Sequence, residues 1–220
     1  MSLAKIAGAA FIAGFSGAAM PGPVLAATIF YAAGPWGAWA GVAIMLGHLV
    51  LEVTLVIALA RGLARWLDRP DAPLVRWVAG IGGLALLLTG WDMLRQVPDL
   101  SLATVAATEQ RLSPFAAGAM LSLSNPYFWI WWATIGLGQF APAKAARGNR
   151  GLVAFYLAHF SSDLVWYSLV AILIANGKNL LGDGPFRLLI AVCGLTLLAF
   201  GLRFLYTAWR PPQVLPDGPA

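Results

Sequence analysis

The sequence predicts an all-α integral membrane protein with six transmembrane helices arranged as two inverted three-helix repeats. Helices 1 and 4 are expected to be broken near the midplane of the membrane. Of the 220 residues, 60% are hydrophobic and 10% are charged, whereas an ordinary globular domain has about 25% charged residues. The apolar residues also fall into segments of membrane-spanning length, and features of the first half recur in the second. The six segments are about 6–33, 38–60, 77–96, 115–139, 152–175 and 187–208.

The segments leave little room for a soluble module, so we expect one transmembrane transporter domain over residues 1–220. The first repeat covers about 1–97 and the second about 113–210, followed by a flexible, proline-rich tail at 211–220. The run from Ile6 to Ala33 is much longer than the apolar part of a signal peptide, so it is interpreted as a retained first helix.

The first helix is interrupted by Met20-Pro21-Gly22-Pro23. Proline removes a backbone donor and clashes with the preceding turn, while glycine adds conformational freedom, so this sequence should unwind the helix locally. Bare backbone groups are tolerated at membrane depth only where protein or a water-filled cavity covers them. The break at Pro21, Gly22 and Pro23 therefore predicts a substrate site.

The fourth helix has a similar interruption at Ser124-Asn125-Pro126. A half-helix that begins after such a break points free amides inward, which suits a carboxylate, while the carbonyls of the preceding half suit an ammonium group. Asn125 and Ser124 add side-chain donors and acceptors. An amino acid presents both charged ends, although the prolines could instead only kink their helices.

Helices 2 and 5 each carry a histidine and a carboxylate at i, i+4 spacing: His48 with Glu52, and His159 with Asp163. Both members of a pair lie on one helical face near the bilayer centre, where ionisable residues are costly and normally functional. The pairs predict a site that couples protons or binds a substrate amine. Two alternatives stay open: hydrogen bonds that only lock helices 2 and 5, and ligation of a divalent cation.

The repeat is visible as a shift of 111 residues, which aligns Glu52 with Asp163 and His48 with His159. The same shift aligns two glycines of helix 3, Gly83 and Gly90, with Gly194 and Gly201 of helix 6. These glycines should permit close helix contact. Because each unit has three helices, the second enters the membrane from the opposite face, as in the inverted repeats of secondary transporters.

The basic residues predict the orientation. With six helices, nine of them share one side with both termini, which places the termini in the cytoplasm of a bacterial cell and the protein in its inner membrane. They are Lys5, Arg61, Arg65, Arg69, Arg76, Lys144, Arg147, Arg150 and Arg210. This distribution accounts for the net charge of +5, so no nucleic-acid partner is expected. The single cysteine, Cys193, excludes disulfide-exchange chemistry.

Several of these residues together resemble the lysine exporter and homoserine/threonine exporter family, over nearly the whole chain. They are Pro21-Gly22-Pro23 with Gly34, Gly37 and Gly41, Gly47 and Glu52 with Gly62-Leu63, Asn125-Pro126, and Asp163 with Trp166. The resemblance implies export of amino acids or close derivatives, driven by membrane potential or proton exchange. Many members have a lysine after Asn-Pro, where this chain has Tyr127, and His48 and His159 are not part of the general pattern.

We therefore expect an exporter that works by alternating access, not an enzyme. Glu52 and Asp163 would handle the proton or the substrate amine, with His48 and His159 tuning them. The backbone around Gly22 and Asn125 would bind the substrate ends. No cofactor is expected; the partners are a small-molecule substrate and the lipid bilayer, and a homodimer stays open. The wider superfamily also contains metal-ion exporters, so a divalent-cation exporter is the alternative.

Overall fold

A computed structural model describes residues 1–63, 73–101, 103 and 111–209, and these residues are helical and contain no strand. Arg65 and Arg69 and the predicted tail at 211–220 lie outside the described residues. We number the helices in chain order. They are α1 (Leu3–Ala18), α2 (Pro23–Ala33), α3 (Trp39–Ala58), α4 (Pro73–Gln96), α5 (Pro114–Ser124), α6 (Pro126–Trp131), α7 (Leu137–Leu181) and α8 (Asp183–Trp209).

Three described helical stretches are long and apolar enough to cross a membrane: Trp39–Arg61, Leu137–Gly177 and Asp183–Tyr206. The helices α1 and α2 pass the same test together, as one span bent by 78°. The protein is therefore a multi-pass helical membrane protein. The two other predicted segments coincide with α4 and with α5 followed by α6, and the division into six spans stays a prediction.

Both helix interruptions fall on the predicted sequences. α1 ends at Ala18 and α2 begins at Pro23, whose missing amide and fixed φ suit the first position of a helix. α5 ends at Ser124 and α6 begins at Pro126. Asn125, between them, is extended, and its Oδ1 accepts a hydrogen bond from the amide of Tyr127 at 3.1 Å. A π-helical turn, Trp132–Gly136, then leads into α7.

The connection expected between the fourth and fifth segments, at about 140–151, is helical rather than a loop. It belongs to α7, which is interrupted only at Gly148, with φ 56° and ψ −139°. Glycine adopts this positive φ without the steric penalty of a side chain. A Cβ at Gly151 would collide with the carbonyl oxygen of Ala143, so the two arms of α7 approach closely on either side of the kink.

The first half of each broken helix packs along a helix that carries a histidine and a carboxylate. α1 lies along α7, and α5 lies along α3, while α3 and α7 also contact each other. Small residues allow these approaches. A Cβ at Gly14 would collide with Ser162 of α7, and a Cβ at Gly118 of α5 would collide with the carbonyl oxygen of Ile44.

The helices α4 and α8 form the most extensive helix pair and meet at their glycines. A Cβ at Gly83 would lie 2.8 Å from the carbonyl oxygen of Gly201, and one at Gly90 would lie 2.7 Å from that of Gly194. Gly83 and Gly194 are 111 residues apart, as are Gly90 and Gly201. Exchanging each glycine for its counterpart therefore exchanges the two contacts.

Hydrogen bonds between distant segments group the ends of the helices. Arg147 donates to the carbonyl oxygen of Met1 at 2.9 Å, and Lys144 donates to that of Ala60 at 3.1 Å. Elsewhere, the Tyr31 hydroxyl donates to the carbonyl oxygen of Leu112 at 2.9 Å and Arg187 donates to that of Leu100 at 2.6 Å. The first group contains the N-terminus and residues near the basic connections, and the second contains none of these.

Candidate transport site

The histidine and carboxylate pairs of α3 and α7 lie together where these two helices pack. Their side chains are almost fully buried, with exposed fractions of 13% for His48, 1% for Glu52, 4% for His159 and 7% for Asp163. Within each pair the spacing brings the groups close, as the sequence predicts: His48 Nε2 lies 3.3 Å from Glu52 Oε1, and His159 Nε2 lies 3.6 Å from Asp163 Oδ2.

The shortest contact in this group joins the two pairs. His159 Nε2 lies 2.9 Å from Glu52 Oε1, and the indole of Trp132 donates to the same oxygen at 3.2 Å. His48 Nε2 also approaches Asp163 Oδ2, at 3.8 Å. The four ionisable groups therefore form one cluster. Sequence reasoning missed the bond between helices, because spacing along a helix does not show which faces of two helices meet.

Ser122 of α5 completes the surroundings of His48. Its Oγ lies 2.7 Å from His48 Nδ1, and Ser122 is fully buried. The sequence indicated Ser124 instead, but the Ser124 hydroxyl is exposed and donates to the carbonyl oxygen of Met120 at 2.9 Å. Residues two apart point to different sides of a helix. The available signal was Gly118, which lies four residues before Ser122 on the face that packs against α3.

Aromatic side chains surround the cluster. Trp131 stacks on the His159 ring with centroids 4.5 Å apart, and Trp132 meets the same ring edge-on at 5.3 Å. Phe128 meets His48 edge-on at 5.4 Å. Trp131 and Trp132 thus wall the site, whereas the Trp129 indole donates to the carbonyl oxygen of Leu123 at 2.9 Å. These rings exclude water and strengthen the electrostatic interactions inside.

A cavity of about 50 Å³ lies at the centre of this cluster. It is lined by the four ionisable side chains together with Gly17, Ala18, Val24, Ser122, Asn125, Tyr127, Phe128, Trp131, Trp132 and Tyr167. Its walls come from both large hydrophobic clusters of the protein, one around α2 and one around α6 and α7. No lysine or arginine of the described residues lines it.

A second cavity, of about 20 Å³, shares Gly17, Val24, Asn125, Tyr127 and Tyr167 with the first. Its remaining lining residues are Met20, Pro21, Gly22, Leu86, Leu197 and Phe200. The structure therefore places Asn125 at both cavities and Pro21 and Gly22 at the smaller one. Pro23 and Pro126 begin the two helices that follow the breaks.

α6 is tied to α1 beside these cavities through Ser16. The Tyr127 hydroxyl donates to the carbonyl oxygen of Ser16 at 3.0 Å, and the Trp131 indole donates to the Ser16 hydroxyl oxygen at 3.1 Å. Two side chains of one broken helix thus hold the other beside the cluster. Any movement of α6 away from α1 must break both bonds and unstack Trp131 from His159.

The cluster can support more than one kind of binding. A buried histidine next to a carboxylate can accept and release a proton, and paired carboxylates attract an ammonium group. His48, Glu52 and Asp163 also each offer one ligand atom, and these three atoms lie within 4.8 Å of one another. Imidazole and carboxylate ligands suit several divalent cations.

A bundle of apolar helices with broken spans around a buried ionisable cluster defines a polytopic membrane transporter. The family model for LysE type translocators matches residues 15–208, so the chain belongs to this family. The protein is therefore a membrane transporter and not an enzyme.

Two curated relatives match most of the chain. "Putative amino acid efflux protein YcgF" of Bacillus subtilis is 28% identical over 198 residues, which cover 89% of this chain and 92% of the relative. "Chemotactic transduction protein ChpE" of Pseudomonas aeruginosa is 27% identical over 158 residues, which cover 72% of this chain and 66% of the relative. No solved structure matches the chain.

Proposed function

We propose that this protein exports amino acids or close derivatives from the cytoplasm by alternating access. The observation that carries the proposal is the buried cluster of Glu52, Asp163, His48 and His159, which lines a cavity next to both helix breaks. Membership of the LysE type translocator family and the similarity to a protein named for amino acid efflux support the same substrate class.

In the proposed architecture, the chain forms six spans as two inverted repeats. The contacts of α1 with α7 and of α5 with α3 support it, because each pairs the first half of a broken helix with the second helix of the other repeat. The glycine contacts between α4 and α8, which exchange under the shift of 111 residues, support it too. Rocking of one repeat against the other would open the site to either side.

The proposed orientation places both termini in the cytoplasm, with the protein in the bacterial inner membrane. The excess of basic residues on that side supports it. The hydrogen bonds of Lys144 with Ala60 and of Arg147 with Met1 support it as well, because they gather the N-terminus and residues of two basic connections at one end of the bundle.

In the proposed coupling mechanism, Glu52 and Asp163 exchange between a proton and the substrate ammonium group. His48 and His159 tune the two carboxylates, because their Nε2 atoms lie within 3.8 Å of both. Ser122 holds the His48 ring through its Nδ1 atom. Release of the substrate on the outer side would follow when a proton replaces the ammonium group at the cluster.

The volume of the central cavity implies a conformational change in this cycle. About 50 Å³ accommodates only a few water molecules, at about 10–15 Å³ for each. An amino acid needs more room than this. Binding therefore requires the cavity to widen, and the two hydrogen bonds of α6 to Ser16 are those that must break if α6 moves away from α1.

Flux from proteoliposomes tests the proposal. The purified protein should release labelled amino acids from preloaded vesicles, and the Glu52→Gln and Asp163→Asn variants should reduce this release at least about tenfold, because removing a charge from a coupled cluster costs well over 1 kcal/mol. Detergent gel filtration checks that each variant is folded. If both variants export as well as the wild-type protein, the coupling assignment is wrong.

The alternative substrate is a divalent cation, and the observation that favours it is the proximity of the ligand atoms of His48, Glu52 and Asp163. The same vesicles, loaded with a panel of divalent metals, distinguish the two. A cation exporter would release a metal rather than amino acids, and it would lose this release and the metal resistance of its host in the His48→Ala variant.

A further inference from the structure

The two broken helices differ at the point where their second halves begin. α6 is capped, because Asn125 Oδ1 accepts a hydrogen bond from the Tyr127 amide and the Asn125 carbonyl accepts one from the Phe128 amide. α2 has no such cap, because Gly22 has no side chain. In the described part of the chain, the first-turn amides of Val24 and Leu25 have no hydrogen-bond acceptor. Both residues are buried, and Val24 lines both cavities.

An unused acceptor lines the same central cavity. Glu52 is 1% exposed, and while its Oε1 contacts three nitrogens, its Oε2 has no hydrogen-bond partner among the described residues. Buried polar atoms in proteins are nearly always hydrogen-bonded. A carboxylate oxygen of this kind beside a cavity therefore indicates a ligand that donates hydrogen bonds. The cavity thus offers donors at α2 and an acceptor at Glu52.

We propose that the substrate is a free α-amino acid, bound as a zwitterion in a single orientation. Its carboxylate binds the amides of Val24 and Leu25, and its ammonium group binds Glu52 Oε2. A helix N-terminus favours an anion through its free amides and its dipole. No lysine or arginine of the described residues lines either cavity, so these amides are the donors that suit a carboxylate. This inference rests on the proposed function and assigns different roles to the two helix breaks.

The geometry of Gly22 allows a direct test with a matched pair of variants. Its backbone is extended, with φ −162° and ψ −174°, a conformation open to any residue. A Cβ there would lie 3.7 Å from the nearest atom, which is ordinary van der Waals contact. Gly22→Ser supplies an N-cap oxygen that competes for the amides of Val24 and Leu25, and Gly22→Ala supplies the same Cβ without that oxygen.

We expect Gly22→Ser to raise the KM for export of an amino acid about tenfold above that of Gly22→Ala, because a bond to a charged group is replaced by an internal one. Its melting temperature in detergent should nevertheless exceed that of Gly22→Ala, because the helix gains a cap. A purely structural role of Gly22 would move affinity and stability in the same direction. Equal KM values for the two folded variants would overturn the proposal.

Competition with the wild-type protein gives a second test that needs no variant. The probes are labelled L-threonine, L-lysine and L-leucine, and the competitors are the amide and the N-acetyl derivative of each. For an exported amino acid, both derivatives should compete at least about tenfold more weakly than the unlabelled parent, because each lacks one charged end. If either competes equally, the zwitterion site is wrong although export is established. If none of the three probes is exported, the proposed function is wrong and the site with it.

Discussion

Glu52 is the residue on which most of the site converges. Its Oε1 lies within 3.3 Å of nitrogens from His48, Trp132 and His159, and these side chains come from α3, the π-helical turn after α6, and α7. A carboxylate this far from water is stable only when it is paired or hydrogen-bonded. The cluster therefore holds three segments of the protein together as well as placing the acidic group at the cavity.

Ser122 gives a prediction at the scale of one hydrogen bond. Ser122→Ala removes the partner of His48 Nδ1, and leaving a buried polar group unsatisfied costs about 1–3 kcal/mol. We expect a lower melting temperature in detergent and slower export. Ser124→Ala is the matched control two residues away, because the Ser124 hydroxyl is exposed and bonds only within its own helix. Equal melting temperatures for the two variants would show that Ser122 does not support His48.

At the scale of helices, the protein depends on close contacts of small residues. Gly118 brings α5 against the backbone of α3, Gly47 brings α3 against that of α5, and Gly41 brings α3 against that of α7. Each contact holds α3 in place, and α3 carries His48 and Glu52. Because apolar lipid gives little hydrophobic drive to helix association, such close packing is a principal source of stability within a membrane.

Gly118→Ala tests this packing. The added methyl group would collide with the carbonyl oxygen of Ile44, and because backbone atoms cannot rotate away, we expect a loss of about 1–3 kcal/mol of stability. Gly8→Ala, on α1, is the control, because a Cβ at Gly8 meets no atom within 4 Å. Thermal unfolding in detergent measures both. A Gly118→Ala protein as stable as Gly8→Ala would mean that α3 and α5 are less closely packed than described.

At the scale of the whole molecule, the contacts at the two groups of helix ends define a sidedness. Arg147 and Lys144 bond to Met1 and Ala60, and Arg187 bonds to Leu100 in the other group. Long helices separate the groups, since the 20 residues of α3 span about 30 Å. The proposed topology requires these groups to lie on opposite faces of the membrane.

Cysteine labelling tests this topology. In a Cys193→Ala background, which removes the single native cysteine, cysteines are introduced at the exposed positions Asn149 and Gly184. A membrane-impermeant maleimide should label Gly184→Cys in intact cells, and Asn149→Cys only after the inner membrane is opened. The reverse pattern would invert the orientation. Labelling of both in intact cells would mean that the arm of α7 between them does not cross the membrane.

The sequence by itself determined the class of protein, the positions of the two helix breaks and the paired residues His48 with Glu52 and His159 with Asp163. These features are local: apolar length, proline chemistry and i, i+4 spacing act within one helix. The family, too, could be recognised from motifs that the sequence carries.

Only the tertiary structure decided how these parts combine. It joined Glu52 to His159, replaced Ser124 by Ser122 as the hydroxyl at the cavity, and extended α7 through a predicted connection. It also showed that α6 is capped and α2 is not. Such features depend on which helix faces meet and how closely, and small residues far apart in the chain set that approach. Spacing along one helix contains no record of it.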